Sequence, residues 1–264
     1  MPPATRMDRA TVQGDPLGPV EPHPAIAGYY VEPARRAEFV RELFNDTAAD
    51  YDRINRLFSF GMGAQYRRRC LLEAGLRSGL RVIDVAVGTG LLAREAVAVT
   101  GDRREVIGVD PSEAMLAVAR SRLGIPLVQG TAEALPLVAE SADFVTLGYA
   151  LRHVADLITA FREFHRVLRP GGTVLLLEIA KPGKQLNRLL ASFYLGQVVP
   201  FLCRWTSGGA RTRTLMQYHW ETIEHCVPPP VILRALGDSG FRDLRCTVDF
   251  DLFRSYSARK APQA

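Results

Sequence analysis

One strand–turn–helix–strand stretch constrains the fold of this chain more than any other. Residues 81–87 (RVIDVAV) form a short apolar run rich in β-branched side chains, which is typical of a buried parallel strand. The turn Gly88-Thr89-Gly90 follows, and an alanine-rich helical stretch begins at Leu91. A second apolar run then ends on Asp110. This order of elements predicts an α/β protein built on a parallel sheet.

The glycine turn and the acid that follows it predict a nucleoside-binding site. Gly88 and Gly90 let the backbone pass close to a ligand and direct amide N–H groups at it. Asp110 ends the next strand, where a carboxylate can accept hydrogen bonds from ribose hydroxyls. Taken alone, residues 88–93 (GTGLLA) also satisfy the loose dinucleotide fingerprint of a dehydrogenase. The turn therefore indicates a nucleoside cofactor without identifying it.

Three further features favour a methyl donor over a dinucleotide. Asp84 precedes the first glycine by four residues, where its carboxylate can pair with a cationic ligand group. The acid at the second strand end leads into a capped helix start, in which Met115 can lie on an adenine ring. A third strand, 127–130, is followed by Thr131 and Ala132. Together these loops resemble those of the class I S-adenosylmethionine-dependent methyltransferases, which wrap the methionine, ribose and adenine of the cofactor.

Composition limits the partners and the compartment. The net charge of +5 is compatible with an acidic partner such as an anionic membrane, but the basic residues are scattered, which favours an ordinary solvated surface. Neither a concentrated basic groove nor a loop for a flipped base is visible, so nucleic acid is not expected. The four cysteines are widely spaced without a CxxC pair, which indicates reduced thiols and no zinc site. No secretory signal is visible, and we expect a cytoplasmic protein, with peripheral contact at the inner membrane surface left open.

The chain divides into a leader and one domain. Residues 1–33 carry seven prolines and no hydrophobic period, which predicts a disordered or loosely draped leader. Residues 34–264 form a single predicted methyltransferase domain. Within it, helices in 34–75 are expected to cover the carboxyl edge of the sheet, and the lipophilic segment 184–230 is expected to form a lid or a homodimer contact. The predicted fold is Rossmann-like: a seven-stranded, mostly parallel sheet with helices on both faces and an antiparallel closing strand pair.

Residues from about 40 to 258 resemble the ubiquinone/menaquinone-biosynthesis C-methyltransferase family. The motifs that carry the resemblance are FNDTAADYDRINRLFSFG, DVAVGTG, GVDPSEAML, TAEALPL, YALRHVAD, FHRVLRPGGTVLLLEIAKP and GDSGF. It implies S-adenosylmethionine as cofactor and a ring carbon of a quinol-like or phenolic small molecule as acceptor. The cofactor residues that it implies are Thr89, Asp110, Thr131, Ala132 and Gly148. The loops themselves add Asp84, Gly88, Gly90, Pro111 and Met115. On the acceptor side, Tyr51, Asn55 and Arg152 match a family Tyr-Asp-x-x-Asn helix and a Leu-Arg-Asn turn.

The sequence departs from the family pattern at three positions. Leu91 replaces the usual Asp after the glycine turn, and Thr131 replaces an Asp or Asn on the adenine side. Because Asp84 and Asp110 remain, cofactor binding is expected to survive both changes. His153 stands where the family has Asn after the acceptor-side arginine, so it changes the acceptor side of the site. With the Pro-rich leader, this change leaves two expected acceptors: a respiratory quinone precursor or a phenolic compound of secondary metabolism.

The chemistry of methyl transfer suggests roles for the acceptor-side residues. An imidazole with an unperturbed pKa of about 6.5 suits proton removal from a hydroxyl near neutral pH. We therefore expect Arg152 to hold the acceptor oxygen while His153, with Tyr51, receives the proton. No metal is required. Two alternatives are O- or N-methylation of another lipophilic molecule or a lipid head group, and a non-catalytic S-adenosylmethionine-binding partner subunit.

Overall fold

The computed structural model describes residues 5–7, 18–26, 28–30, 35–58, 62–194, 198, 201 and 209–263. The strands are β1 Thr5–Met7, β2 Val82–Val85, β3 Val106–Asp110, β4 Leu127–Gln129, β5 Ala142–Gly148, β6 Leu168–Ile179, β7 Phe241–Asp249 and β8 Phe253–Lys260. The α-helices are α1 Arg36–Thr47, α2 Tyr51–Phe58, α3 Gly63–Glu73, α4 Leu91–Thr100, α5 Glu113–Leu123, α6 Leu157–Val167, α7 Gln185–Phe193, α8 Gly209–His225 and α9 Pro229–Asp238.

The strands form one mixed sheet in the order β1-β7-β8-β6-β5-β2-β3-β4. Strands β2 to β6 pair in parallel, whereas β8 pairs antiparallel with both β6 and β7. The seven-stranded, mostly parallel sheet with its antiparallel closing pair is thus confirmed. An eighth, three-residue strand, β1, adds to the outer edge of β7. It was not predicted, because so short a strand can form through backbone hydrogen bonds without a periodic sequence pattern.

The strand order places the crevice of the sheet at β2 and β5. From β2 the chain proceeds to β3 on one side, and β5 then returns to the other side, so the carboxyl ends of β2 and β5 lie next to each other at a topological switch point. Ala86 to Gly88 follow the first strand, and Tyr149 follows the second. Open α/β sheets bind ligands at this position.

Helices cover both faces of the sheet, as predicted. Buried side chains of α6 and α9, such as Phe161 and Leu236, pack on one face. Leu71, Ala93 and Leu116, from α3, α4 and α5, pack on the other. Helix α3 therefore belongs to a sheet layer, although it lies within the segment predicted as the cover. The hydrophobic period could not make this distinction, because both positions bury one helix face.

The cover is formed by α1, α2 and α8. Leu215, Met216 and Tyr218 of α8 pack with Val40 and Leu43 of α1. Part of the segment predicted as a lid or dimer contact is therefore internal packing for the cover. The remainder of that prediction, and the apolar stretch around residues 195–208, lies largely outside the described residues.

Residues 18–26, called here the strap, pack against the fold. The Val20 N–H donates to Asp156 Oδ1 at 2.6 Å, and the Val20 carbonyl accepts from the Leu157 N–H. His23 and Ile26 are buried. This differs from the predicted disordered or loosely draped leader, because the contacts of the strap are backbone and polar and produce no hydrophobic period. Residues 1–4, 8–17, 27 and 31–33 lie outside the described part of the chain.

Candidate active site

The turn after β2 has the backbone that its glycines predicted. Ala86, Gly88 and Gly90 all have positive φ, of 52°, 55° and 88°. A Cβ on Gly90 would lie 2.2 Å from Leu123 Cδ1, so both the conformation and the space exclude a side chain there. Ala86 holds a left-handed conformation without being glycine, which is uncommon and concentrates at functional sites. The turn is therefore a rigid bend at the sheet edge.

Asp110 lies beside this bend, as predicted. Its Oδ2 accepts the Gly88 N–H at 2.8 Å, and its Oδ1 accepts the Ser112 N–H at 2.8 Å. The Gly88 amide is thus used to orient the carboxylate, whereas the sequence had suggested that it faces a ligand. Burial raises the pKa of Asp110 to about 6. Because a carboxylate has about four lone-pair positions, Asp110 can still accept hydrogen bonds from the cavity that it borders.

Asp84 borders a smaller cavity and keeps one carboxylate oxygen without a hydrogen-bond partner in the described structure. Its Oδ1 accepts the Thr146 hydroxyl at 2.6 Å, whereas its buried Oδ2 has no hydrogen bond within the described structure. Burial raises the pKa of Asp84 to about 7. The small cavity, of about 40 Å³, is also bordered by Thr89, Gly148 and Tyr51. A buried carboxylate oxygen without a donor fits the cationic amine of an amino acid ligand.

A second cavity, of about 380 Å³, adjoins the first at Gly88, Gly148 and Tyr51. Nine of the ten predicted cofactor residues border one or both cavities: Asp84, Gly88, Thr89, Asp110, Pro111, Met115, Thr131, Ala132 and Gly148. Gly90 borders neither and instead forms the N-cap of α4. The orphaned Asp84 oxygen, the Asp110 carboxylate and the buried Met115 side chain fit the amine, ribose and adenine of S-adenosylmethionine, respectively.

Polar contacts fasten the cover to the cofactor side. Asn45 Oδ1 of α1 accepts the Ser112 hydroxyl at 2.6 Å, next to the turn that Asp110 begins. Asp52 of α2 accepts the Thr89 hydroxyl and pairs with Arg122 of α5. The Thr89 side chain is therefore engaged by the protein. These contacts hold the cover over the edge of the sheet where the cavities lie.

The predicted pair on α2 reaches the site. Tyr51 borders both cavities, and burial raises the pKa of its hydroxyl. Asn55 borders the smaller cavity, where its Oδ1 accepts Arg67 Nη2 at 2.7 Å. The structure thus brings Tyr51 and Asn55 to the junction of the two cavities.

Arg152 does not lie where the sequence analysis expected it. Its side chain is 1% exposed, pairs with Glu178 at 3.3 Å, and borders neither cavity. A guanidinium held by a buried carboxylate satisfies the charge of both groups inside the fold. This placement gives Arg152 no direct contact with an acceptor, so the expected acceptor-oxygen contact is corrected.

His153 borders the larger cavity but lies in an aromatic setting. Its ring stacks on Tyr218 with centroids 5.7 Å apart and meets Phe44 edge-on at 5.1 Å. Both ring nitrogens are buried without a hydrogen bond in the described structure. Burial, and then the Arg152 charge, hold the pKa of His153 well below its usual value. The expectation of an unperturbed pKa is therefore wrong, because the sequence cannot show this burial.

Sequence reasoning missed several residues that border the cavities. Tyr149 has a positive φ of 61°, and Arg67 lies over its ring at 5.3 Å from the centroid. Its place directly after β5 was the one available signal. Arg36 and Phe44 of α1 form part of the opposite wall. Nothing in the local sequence marks these two, because their role depends on how the cover docks.

The described residues contain neither a candidate metal cluster nor a candidate membrane-spanning helix. In the part of the chain that the structure describes, no three His, Cys, Asp or Glu side chains are grouped so that they could hold a metal ion. None of the described helices is both long enough and apolar enough to cross a bilayer.

Solved structures of other proteins share this fold. A Thermotoga maritima S-adenosylmethionine-dependent methyltransferase, described as a possible histamine N-methyltransferase, superposes with a TM-score of 0.59 at 19% identity, covering 83% of this chain and 98% of its own. Phosphoethanolamine N-methyltransferase 2 of Haemonchus contortus, in complex with S-adenosylmethionine, superposes with a TM-score of 0.54 at 18% identity, covering 75% of this chain and 53% of its own. At these identities the likeness shows the fold alone.

Sequence relatives are closer. The ubiquinone/menaquinone biosynthesis C-methyltransferase UbiE of Shewanella sp. (strain W3-18-1) is 33% identical over 226 residues, covering 82% of this chain and 88% of that protein. UbiE of Shewanella frigidimarina (strain NCIMB 400) is 32% identical over 237 residues, covering 86% and 92%. The ubiE/COQ5 methyltransferase family model matches residues 32–243. The chain is therefore an S-adenosylmethionine-dependent methyltransferase, and it belongs to the ubiE/COQ5 methyltransferase family.

Proposed function

We propose that this enzyme methylates a ring carbon of a quinol-like or phenolic small molecule in quinone biosynthesis. The observation that carries the proposal is the larger cavity, in which the predicted cofactor residues face an aromatic and aliphatic wall. Val40 and Phe44 of α1, with Tyr51 and His153, form that wall. Its apolar character suits a flat ring, and the names of the sequence relatives support a quinone precursor.

The residues on the cofactor side of the site are suited to bind and orient S-adenosylmethionine. When bound, S-adenosylmethionine supplies an electrophilic methyl group on its sulfonium. Asp84 would pair with the amine of the cofactor, and Asp110 would accept hydrogen bonds from its ribose hydroxyls. Gly148 lets Leu92 of α4 pack closely against the end of β5, since a Cβ there would lie 2.9 Å from Leu92 Cδ2. Fixing the donor in this way lowers the entropic part of the barrier to an in-line displacement.

The acceptor side positions the ring. Phe44 and Tyr51 offer apolar surface, and a neutral His153 can accept a hydrogen bond from a ring hydroxyl. Because its lowered pKa disfavours the imidazolium, His153 is better suited to positioning the hydroxyl than to storing its proton. Asn55 holds Arg67 beside the smaller cavity.

Incubation with methyl-labelled S-adenosylmethionine and a panel of candidate acceptors tests the proposal. The panel includes prenylated and unprenylated hydroquinones, a catechol and phosphoethanolamine, and NMR locates the label. We expect a new carbon–methyl bond on a hydroquinone. Label on oxygen or nitrogen would favour the alternative methyltransferase activities. Cofactor binding without transfer to any acceptor would favour the non-catalytic binding subunit.

We further propose that the exposed end of α7 meets a membrane surface, from which a lipophilic acceptor is drawn. Leu189 and Phe193 are 68% and 63% exposed, and Phe201 is 58% exposed. Flotation with phosphatidylglycerol vesicles tests this, and the double change Leu189→Glu and Phe193→Glu is expected to abolish flotation. If light scattering instead shows a dimer that the double change dissociates, the patch is a homodimer contact.

A further inference from the structure

Arg36 is a buried cation on the cavity wall without an acidic partner. Its side chain lies at the start of α1 and is 5% exposed. Nη2 donates to the Arg152 carbonyl at 2.5 Å and lies 2.9 Å from His23 Nε2, whereas the buried Nε makes no hydrogen bond to any described residue. No Asp or Glu of the described chain pairs with it. Arg152, buried nearby, does have such a partner in Glu178.

The groups around Arg36 leave its charge uncompensated. Those that contact it or interact with it electrostatically are His23 on the strap, Arg152 and His153 in the turn after β5, and Tyr218 and Cys226 on or just after α8. None of these is a carboxyl. Burial lowers the pKa of His23 to about 4, so this neighbour stays neutral. A buried charge requires a counter-charge or full hydrogen bonding, and here neither is complete.

The carboxylates that border the same cavity are engaged elsewhere. Asp110 accepts the Gly88 and Ser112 amides, and Glu133 accepts the Ala155 N–H at 2.6 Å. Neither forms an ion pair with Arg36, so the cavity offers a cation on its α1 wall without an ion-pair partner among the described residues, next to the aromatic wall formed by Phe44 and His153. An anionic group on a flat ligand fits this arrangement.

We propose that Arg36 binds the acceptor through an ionised ring oxygen, so that the enzyme selects a phenolate or a hydroquinone monoanion. The inference rests on the proposed function and names the form of its substrate. A guanidinium stabilises an oxyanion by charge and by hydrogen bonding at once. His23 positions Arg36 by accepting one of its N–H groups.

The ionised oxygen accounts for carbon as the nucleophile. The hydroxyl proton passes to water as the acceptor binds, and the negative charge spreads to the ring carbons ortho to the ionised oxygen, of which the reacting one bears a hydrogen. An electron pair from one such carbon forms the bond to the methyl group, while the carbon–sulfur bond breaks and its electron pair stays on sulfur. The proton on that ring carbon then leaves to water, which restores the aromatic ring.

A chromogenic probe tests the charge preference without turnover. 4-Nitrophenol absorbs in the visible only when ionised, and it is titrated with the protein saturated with S-adenosylhomocysteine. We expect it to bind to the wild type and to Arg36→Lys largely as the phenolate, and to Arg36→Gln as the neutral phenol. Arg35→Gln is the matched control, since Arg35 is the adjacent, exposed arginine. Phenolate binding by Arg36→Gln equal to that of the wild type would overturn the proposal.

The pH dependence of turnover gives a second measurement. For Arg36→Gln we expect kcat/KM for a hydroquinone that the enzyme methylates to fall about 10²-fold, the loss typical of one oxyanion donor. We also expect the rise of kcat with ionisation of the bound acceptor to move to higher pH, because the pH profile of kcat reports ionisations in the enzyme–substrate complex. Partial rescue by Arg36→Lys separates charge from packing. An unmoved pH profile overturns the proposal, and if Arg36→Gln does not fold, neutral-phenol binding by the wild type overturns it. If the protein binds the probe as the phenolate but methylates no quinol, that result contradicts the proposed function and does not contradict the role of Arg36.

Discussion

The cofactor side and the acceptor side of the site are built in opposite ways. On the cofactor side, most of the predicted residues lie between 84 and 132 and follow the ends of β2, β3 and β4. Their polar groups are largely held by nearby backbone, as Asp110 is by Gly88 and Ser112. On the acceptor side, the strap, α1, α2, the turn after β5 and α8 meet from distant parts of the chain. A site formed by residues that are close together in the sequence is rigid and can be recognised from local motifs. A site formed by distant segments depends on long-range packing.

A substitution in the buried Arg152–Glu178 pair has the largest expected effect and tests whether the acceptor side depends on long-range packing. Changing Glu178→Gln leaves Arg152 buried and uncompensated, so we expect the free energy of unfolding to fall by about 3–5 kcal/mol. Chemical denaturation measures it. Glu140→Gln is the control, because Glu140 is 53% exposed and pairs with Lys260, and such a pair contributes about 1 kcal/mol or less. If the variant keeps its stability but loses turnover, Arg152 takes part in the reaction and is not only a structural residue.

On the cofactor side, Asp110→Ala should weaken binding. Loss of a charge-assisted hydrogen bond to ribose costs about 1.5–3 kcal/mol, or about 10- to 150-fold in the affinity for S-adenosylhomocysteine measured by calorimetry. Asp102→Ala provides the comparison, since Asp102 lies before the amino end of β3 and binds Arg104. Full affinity in Asp110→Ala would contradict the ribose assignment.

A substitution of His153 tests how the acceptor side works. If His153 only positions a hydroxyl, His153→Ala should lower turnover by about tenfold, the contribution of one neutral hydrogen bond. Because the pKa of His153 is low, the pH profile of kcat/KM should show no loss of activity near pH 6.5 that is due to His153. The wild type and His153→Ala should therefore have the same profile in that range. His165→Ala, which removes a ring packed on Phe241 behind the sheet, controls for general effects. A loss of 10²–10⁴-fold would instead support general-base catalysis by His153.

The smallest expected effect is proton release by Asp84. Its folded pKa of about 7 lies above that of an unfolded Asp, so the ligand-free protein holds this proton more tightly and loses the corresponding stability as pH rises through 7. A ligand ammonium favours the ionised form. Binding of S-adenosylmethionine at pH 6.5 should therefore release up to about one proton, and affinity should rise with pH up to about 7.

Calorimetry in buffers of different ionisation enthalpy counts this proton. Asp84→Asn should release clearly less than the wild type, because only Asp110, with a pKa of about 6, then remains partly protonated at pH 6.5. Proton uptake on binding to the wild type would sink the assignment of Asp84 to the amine. The Asn variant should also lose affinity at every pH, because an amide does not carry the counter-charge.

The sequence made the cofactor side predictable because strand periodicity, glycine and a strand-end acid act over a few residues. The family resemblance named Tyr51 and Asn55, and both border the smaller cavity. Sequence reasoning failed for Arg152 and for the pKa of His153, because both depend on burial by Glu178 and by α8. Arg36 and the strap carried no signal at all, since their contacts are polar and span more than a hundred residues.

The position of β8 has a consequence for how the protein is made. β8 lies between β6 and β7, although it is the last strand of the sheet to be synthesised. Until residues 253–260 leave the ribosome, β6 has one unpaired edge of apolar sequence, which invites pairing with other chains. A fragment cut at residue 243, where the family match ends, would keep that edge open permanently. Expression of this enzyme should therefore depend on residues 253–260 more than their distance from the chemistry suggests.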